Sequence, residues 1–245
     1  MNKMKKYKYS LRTKILLGLG AFIIGGYLLV FQTPVFVIDT LSYNQSMHIT
    51  NREIMTYGGL DAGINYFFVN TEKIQKNLLT HPYVADVTVG KKLPDTLELS
   101  IDYRNEFVAI VYSGIYLTTD DQLNVLKAEE STGDIFLIEG FNVKSFNIGE
   151  QIKVKDFHVL QHAIELIHLL EKSHIEAKPI LKYVNGSIEL ELNTAYKVKF
   201  GDGTNIERKF NNFVDIYDDL NSKQAISGVI DVSNEGLPSY RPFGE

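Results

Sequence analysis

The 245-residue chain carries a net charge of −5 and contains no cysteine. Without thiols it has no disulfide, no cysteine nucleophile and none of the sulfur ligands on which most structural zinc sites depend. The charge is unevenly placed. The first fourteen residues hold six lysines and arginines (Lys3, Lys5, Lys6, Lys8, Arg12, Lys14) and no acid, so removing these six positive charges from −5 leaves −11 on the remainder, a balance that disfavours nucleic acid and anionic membrane surfaces as its partners.

An uncharged apolar run follows from Ile15 to Phe31. At about 1.5 Å per residue it makes a helix of roughly 25 Å, at the short end of a bilayer crossing, with Lys14 at one limit and Gln32 at the other. The run is longer than the apolar core of a signal peptide, and Val30-Phe31-Gln32-Thr33-Pro34 presents bulky side chains where a signal peptidase requires small ones. The expected topology is a cytoplasmic tail at 1–14, a retained membrane helix at 15–32 and an extracytoplasmic remainder, oriented by positive charge lying only on the N-terminal side. That remainder has room for one large or two small domains.

Val35 to Ser42 is rich in β-branched and aromatic residues and reads as a strand. Thr50 or Asn51 can cap a short helix with Glu53 in its first turn, which Gly58-Gly59 terminates. Asn70 or Thr71 caps a second helix, with Ile74, Leu78 and Leu79 close to one face, and His81-Pro82 stops it. Two strands follow. In the first, Val84, Asp86, Thr88 and Gly90 alternate with Ala85, Val87 and Val89. After the turn Lys91–Asp95, Leu97, Leu99 and Ile101 point one way while Glu98, Ser100 and Asp102 point the other.

The order and punctuation of this stretch resemble the POTRA module of the FtsQ/DivIB family. His81-Pro82-Tyr83-Val84 matches that family's helix end before "P-x-V", Leu93-Pro94-Asp95-Thr96-Leu97 its "P-[DN]-T-L" turn, and Gly63-Ile64-Asn65-Tyr66-Phe67 its "G-x-N-x-F" lead into the second helix. Where the family carries Glu-Arg-x-Pro-x-Ala, this chain has Asp102-Tyr103-Arg104-Asn105-Glu106-Phe107-Val108-Ala109, with the acid shortened and the proline absent. The module boundary is placed near Arg104.

Beyond it the chain again reads as strand and turn: Phe107 to Tyr112, a turn at Ser113-Gly114, Ile115 to Thr119, and Asp120-Asp121 leading toward Leu123 and Val125. Phe136–Gly140 resembles the family's "L-P-x-[IL]-x-G" strand. Lys155 to Lys172 is an amphipathic helix, with Phe157, Leu160, Ile164 and Ile167 inward and Gln161, Glu165, His168 and Lys172 outward. Asn185-Gly186 marks a hairpin between Ile180–Val184 and Ile188–Leu192. Tyr196 to Phe200 is a strand ended by Gly201-Asp202-Gly203, a helix from Asn205 to Leu220 buries Phe210, Phe213, Val214 and Tyr217, and Gly228 to Ser233 is a last strand that resembles the family's closing one. The expected fold class is α+β: one N-terminal transmembrane helix, a POTRA module (β-α-α-β-β) at 34–104, and a mixed β domain with two helices at 105–233, followed by an edge strand or tail at 234–245.

Catalytic signatures are sparse. His158, His162 and Glu165 have metal-ligand spacing on a helix, but the polar face on which they fall is more simply a solvated one. The acid pairs Asp120-Asp121 and Asp218-Asp219 read as solvated turn and helix-end residues, and His81 as a helix-end residue rather than a base. The familiar acyl-transfer and zinc-peptidase motifs are missing. The expectation is a non-enzyme with no catalytic, cofactor-binding or metal site and no cofactor.

A docking edge is a better prospect. After the turn at Asn234-Glu235-Gly236, Leu237–Phe243 can return as an edge strand, where Pro238 and Pro242 are tolerated and another chain can add by β-augmentation. The family resemblance implies that this end receives the extracytoplasmic parts of FtsL-like and FtsB/DivIC-like bitopic partners, and assigns that role to Asn234, Gly236, Leu237 and Tyr240. It further implies a single-pass type II protein at the division septum, a divisome scaffold that helps control septal peptidoglycan synthesis, with septal synthases as further partners. Two alternatives stand beside it: an anchored binding module for cell-wall glycan or a secretion substrate, and an anchored extracytoplasmic hydrolase.

Overall fold

The computed structural model describes residues 10–60, 63–175, 179–192, 195–223 and 227–243. Lys3, Lys5, Lys6 and Lys8 of the basic tail, and the last two residues of the tail at 234–245, lie outside them. The chain divides into two compact units, Met1–Tyr103 and Arg104–Glu245.

In the first unit, helix α1 (Leu11–Gln32) is capped by Ser10, whose Oγ accepts from the Thr13 amide at 3.3 Å. None of its residues is buried within the protein, and it is long and apolar enough to cross a membrane. The strand expected from Val35 starts later. Pro34–Phe36 form a single 3₁₀ turn closed by the Val37 amide on the Pro34 carbonyl at 3.1 Å, because proline's fixed φ suits the first position of a helical turn. Val37 and Ile38 then pair with Asn65 and Ile64, and strand β1 is confined to Thr40–Tyr43.

Helix α2 (Asn51–Gly58) carries a capping box: the Glu53 amide donates to Thr50 Oγ1 and the Thr50 amide to Glu53 Oε2, and the helix stops at Gly59 in a left-handed conformation. Helix α3 (Thr71–Leu78) is capped by the Asn70 side chain at 2.9 Å. Ile74 and Leu78 are buried, whereas Leu79, expected beside them, is 43% exposed, since α3 ends one residue before it.

Strand β2 (Val84–Lys92) runs antiparallel to β3 (Thr96–Tyr103), and β1 lies parallel to β3 on its other side, giving the order β1-β3-β2. Leu97, Leu99 and Ile101 face the core as expected. In β2 the strict alternation fails, because a bulge between Val84 and Asp86 turns both Val84 and Val87 inward. An extra residue shifts the pleat by one, which lets two apolar residues three apart share a face.

The second unit is built on a nine-stranded mixed sheet of order β14-β13-β12-β11-β10-β7-β4-β5-β6. Its strands are β4 (Val108–Tyr112), β5 (Ile115–Thr119), β6 (Val125–Glu129), β7 (Phe136–Glu139), β10 (Ile180–Val184), β11 (Ser187–Leu192), β12 (Tyr196–Gly201), β13 (Gly228–Asp231) and β14 (Ser239–Pro242). A short ribbon, β8 (Val143–Ser145) with β9 (Lys153–Val154), adds Val143, Ile152 and Val154 to the core. Two hairpins turn on pairs with positive φ, Ser113-Gly114 and Asn185-Gly186, whose twist matches that of the strands they join.

Helices α4 (Phe157–Glu171) and α5 (Ile206–Ser222) complete this core through Leu160, Ala163, Ile164, Ile167, Phe210 and Phe213. His168, expected on the solvent face of α4, instead stacks on Phe107 with ring centroids 4.4 Å apart. Asp120 also departs from the solvated position expected of it. It is buried, and its carboxylate accepts from Arg104 Nη1 (2.9 Å), the amides of Gln122 and Asn124 (3.1 and 2.7 Å) and Asn124 Nδ2 (2.8 Å). The acid is thus the hub of its turn.

Candidate functional site

Strand β14 forms one end of the large sheet and, among the described residues, pairs on one side only, antiparallel to β13, with Gly228 opposite Pro242, Val229 opposite Arg241, Ile230 opposite Tyr240 and Asp231 opposite Ser239. The Phe243 amide donates to the Ser227 carbonyl at 3.3 Å. In an antiparallel pair, hydrogen-bonded and non-hydrogen-bonded positions alternate. Arg241 and Ser239 therefore direct their main-chain groups into the sheet, while Tyr240 and Pro242 direct theirs outward. The opposite side of β13 agrees: the amides of Gly228 and Val232 donate to Ala195 and Lys199 on the β12 side, at 3.0 Å each. Both prolines of this segment sit where a missing donor costs the sheet nothing.

Of the four residues assigned to docking, Asn234, Gly236 and Leu237 lie together in the exposed connection between β13 and β14, and Leu237 is 97% exposed. A Cβ added at Gly236 would meet nothing within 4 Å, and the residue has no left-handed backbone, so nothing in the fold itself requires glycine there. Tyr240 is placed differently. Its ring is half-buried against the core, its hydroxyl donates to the Ser227 carbonyl at 3.0 Å, and it lies over Gly228, where a Cβ would sit 2.5 Å from the ring and 2.5 Å from the Arg241 carbonyl oxygen. An aromatic ring laid across a cross-strand glycine pins an edge strand to its sheet. Tyr240 thus offers its main chain outward and its side chain inward.

Sequence reasoning did not single out Glu235 or Gly228. Glu235 accepts from Asn205 Nδ2 at 2.6 Å and pairs with Arg208 at 2.8 Å, which fastens the connection to the start of α5. Those two donors, Asn205 first, hold its carboxyl below the ordinary value. No local motif announces either residue; a turn glutamate and a strand-initial glycine acquire these roles only when α5 and β14 come together.

Of the residues considered for metal binding, His162 is engaged with the turn before α5. His158 and His162 have ring centroids 6.4 Å apart, and His162 Nδ1 lies 3.0 Å from the Asp202 carbonyl oxygen. Among the described residues, no group of three or more histidines and acids is arranged to hold a metal ion.

Residues 38–102 match the family model for the POTRA domain, FtsQ-type, the segment that folds here as β1-α2-α3-β2-β3. Over most of its length the chain is similar to proteins named cell division protein DivIB. It is 25% identical over 224 residues to that of Clostridium botulinum (strain Hall), covering 86% of this chain and 84% of the relative. It is 26% identical over 220 residues to that of Clostridium acetobutylicum, covering 86% and 85%, and 22% identical over 217 residues to that of Clostridium tetani, covering 86% and 81%. The chain thus joins an apolar N-terminal helix, an FtsQ-type POTRA domain and a large β domain, and its similarity over 86% of its length to DivIB proteins supports membership of the FtsQ/DivIB family and a role in cell division.

Proposed function

We propose that the protein is a divisome scaffold, anchored by α1 with its N-terminus in the cytoplasm and its POTRA module and β domain outside. In this reading the POTRA module contributes to recruitment at the septum. The β14 edge receives the extracytoplasmic ends of FtsL-like and FtsB/DivIC-like coiled-coil partners, and through them the protein helps control septal peptidoglycan synthesis. Its work is binding and positioning, which requires no cofactor and no catalytic group.

The observation that carries the reading is the open edge itself. Along β14 the outward main chain offers the Tyr240 N–H and the carbonyls of Tyr240 and Pro242, so an incoming strand finds one donor and two acceptors. At about 1 kcal/mol net per hydrogen bond, three such bonds contribute on the order of 3 kcal/mol, which is weaker than millimolar affinity. Side-chain anchors must supply the rest. Leu237, 97% exposed, and Phe243, 52% exposed, flank the edge and are available for that purpose.

The test is a titration of the full-length protein in nanodiscs with the extracytoplasmic part of the coiled-coil pair, for the native chain and for Leu237→Asp. Leu237 is 97% exposed, so the substitution leaves the core untouched and reports on docking. The expected result is tight binding weakened at least about tenfold, roughly 1.4 kcal/mol, by the substitution. Equal affinities would move the docking site elsewhere, and no binding by the native chain would remove the scaffold reading.

A further inference from the structure

The apolar run of α1, Ile15 to Phe31, spans about 25 Å, roughly 5 Å less than the hydrocarbon core it has to cross. The end of that run is not free. Asn65 Nδ2 donates to the Val30 carbonyl at 2.7 Å, the Tyr66 amide to the Phe36 carbonyl at 2.7 Å, and the Phe67 amide to Asn65 Oδ1 at 3.0 Å. These bonds fix the loop before α3 at the level of the last turn of α1. The Phe31 and Phe68 rings are 5.3 Å apart, and those of Phe36 and Phe67 are 5.2 Å apart.

These aromatic side chains are not core. Phe68 is 66% exposed, Phe67 49% and Phe31 43%, and the neighbouring Val35 is 50% exposed, so exposed apolar surface gathers at the point where the helix meets the domain. Exposed apolar patches of this kind mark an interaction surface. Continuity with the membrane helix identifies the occupant: side chains bonded and stacked to the last turn of a membrane-spanning helix lie at the depth where aromatic belts are found.

We propose that Phe31, Val35, Phe36, Tyr66, Phe67 and Phe68 form an aromatic collar that seats in the outer interface of the bilayer crossed by α1 and holds the POTRA domain against the membrane surface. The collar lengthens the apolar band on the outer side, which offsets the short span without thinning the bilayer. The attraction is apolar and needs no anionic lipid, in keeping with the acidic character of the extracytoplasmic part. Lys91, whose Nζ lies 5.2 Å from the centre of the Tyr66 ring and donates to the Tyr66 carbonyl at 3.3 Å, places one cation beside the collar at headgroup height.

The chain contains neither tryptophan nor cysteine, so a single substitution creates a unique reporter. Full-length Phe68→Trp and, separately, Tyr27→Trp within α1 are reconstituted in phosphatidylcholine nanodiscs, with and without acyl chains brominated near the glycerol. Phe67→Trp serves as a second reporter should Phe68→Trp fail to fold. The expected result is loss of emission in brominated nanodiscs for both the collar and the α1 reporters, with the collar reporter shielded from aqueous acrylamide. Quenching of Tyr27→Trp without quenching of the collar reporter would overturn the collar while leaving α1 as the anchor. Quenching of neither would remove the anchor, and the collar with it.

Discussion

Gly228→Ala is the sharpest structural perturbation of the edge strand. A Cβ at this position would stand 2.5 Å from the Arg241 carbonyl oxygen and 2.5 Å from Cε2 of Tyr240, where ordinary contact begins at 3.4 Å. Relief requires β14 to recede by about 1 Å, because the opposing atoms are backbone and an aromatic ring already pinned by its hydroxyl on the Ser227 carbonyl. Overpacking of this kind costs about 1–3 kcal/mol. The main-chain bonds of β14 to β13 at the pairs Phe243–Ser227, Arg241–Val229 and Ser239–Asp231 each contribute about 1 kcal/mol net, so the perturbation is comparable to what holds the strand. Local opening of β14 should rise about 5- to 150-fold. Hydrogen exchange reads it directly: the amides of Arg241 and Phe243 should lose protection while Leu190 in the sheet interior keeps its own. Gly236→Ala, with open space around it, should change none of these. Unaltered exchange at Arg241 and Phe243 in Gly228→Ala would refute the packing of Tyr240 over Gly228.

Three further outcomes follow from other parts of the molecule. His81 is buried, its Nδ1 accepts from the Tyr83 amide at 3.2 Å, and Tyr57 packs edge-on at 4.6 Å; burial lowers its pKa from the ordinary 6.5, with the Glu53 carboxylate opposing only in part. The unfolded chain then takes up this proton first, so the first unit should be most stable above about pH 6.5 and lose up to about 1.4 kcal/mol per pH unit just below it. Urea melts of His81→Asn, which keeps an acceptor but does not titrate, should lack that part of the slope. Asp120→Ala removes the acceptor of Arg104 and of two backbone amides and should destabilise the second unit by about 3 kcal/mol, seen as a lower denaturation midpoint. Gly140→Ala forces a side chain onto a backbone at φ 88° with its Cβ 2.3 Å from the Tyr183 carbonyl oxygen. It should cost about 3 kcal/mol or more by the same melt.

What could be read from the sequence was whatever depends on near neighbours. The caps Thr50 and Asn70, the hairpins at Ser113-Gly114 and Asn185-Gly186, and the inward face of β3 are set by residues within a few positions of one another, and each stands where the local chemistry puts it. The departures are tertiary. The strand expected from Val35 is cut short because Val37 and Ile38 take their partners from Asn65 and Ile64, far along the chain, and β1 begins only at Thr40. The bulge in β2 answers to the register of β3. Asp120, adjacent to another acid, read as a solvated turn residue; its amide donors at Gln122 and Asn124 are local, but the charged partner that meets it in its buried position, Arg104, comes from sixteen residues earlier in the chain. At the candidate site the exposed position of Leu237 needed no long-range information, whereas the inward turn of the Tyr240 ring depends on Gly228 lying across the strand pair.

The central claim is that a partner adds a strand to the outer side of β14, and the Tyr240 amide tests it most directly. In the protein alone that N–H points away from β13 and should exchange quickly with solvent, in contrast to its neighbour Arg241. On addition of the extracytoplasmic coiled-coil pair to the full-length protein in nanodiscs, the Tyr240 amide should become protected while Arg241 changes little. Binding that leaves Tyr240 exchange as fast as before would contradict docking at this edge.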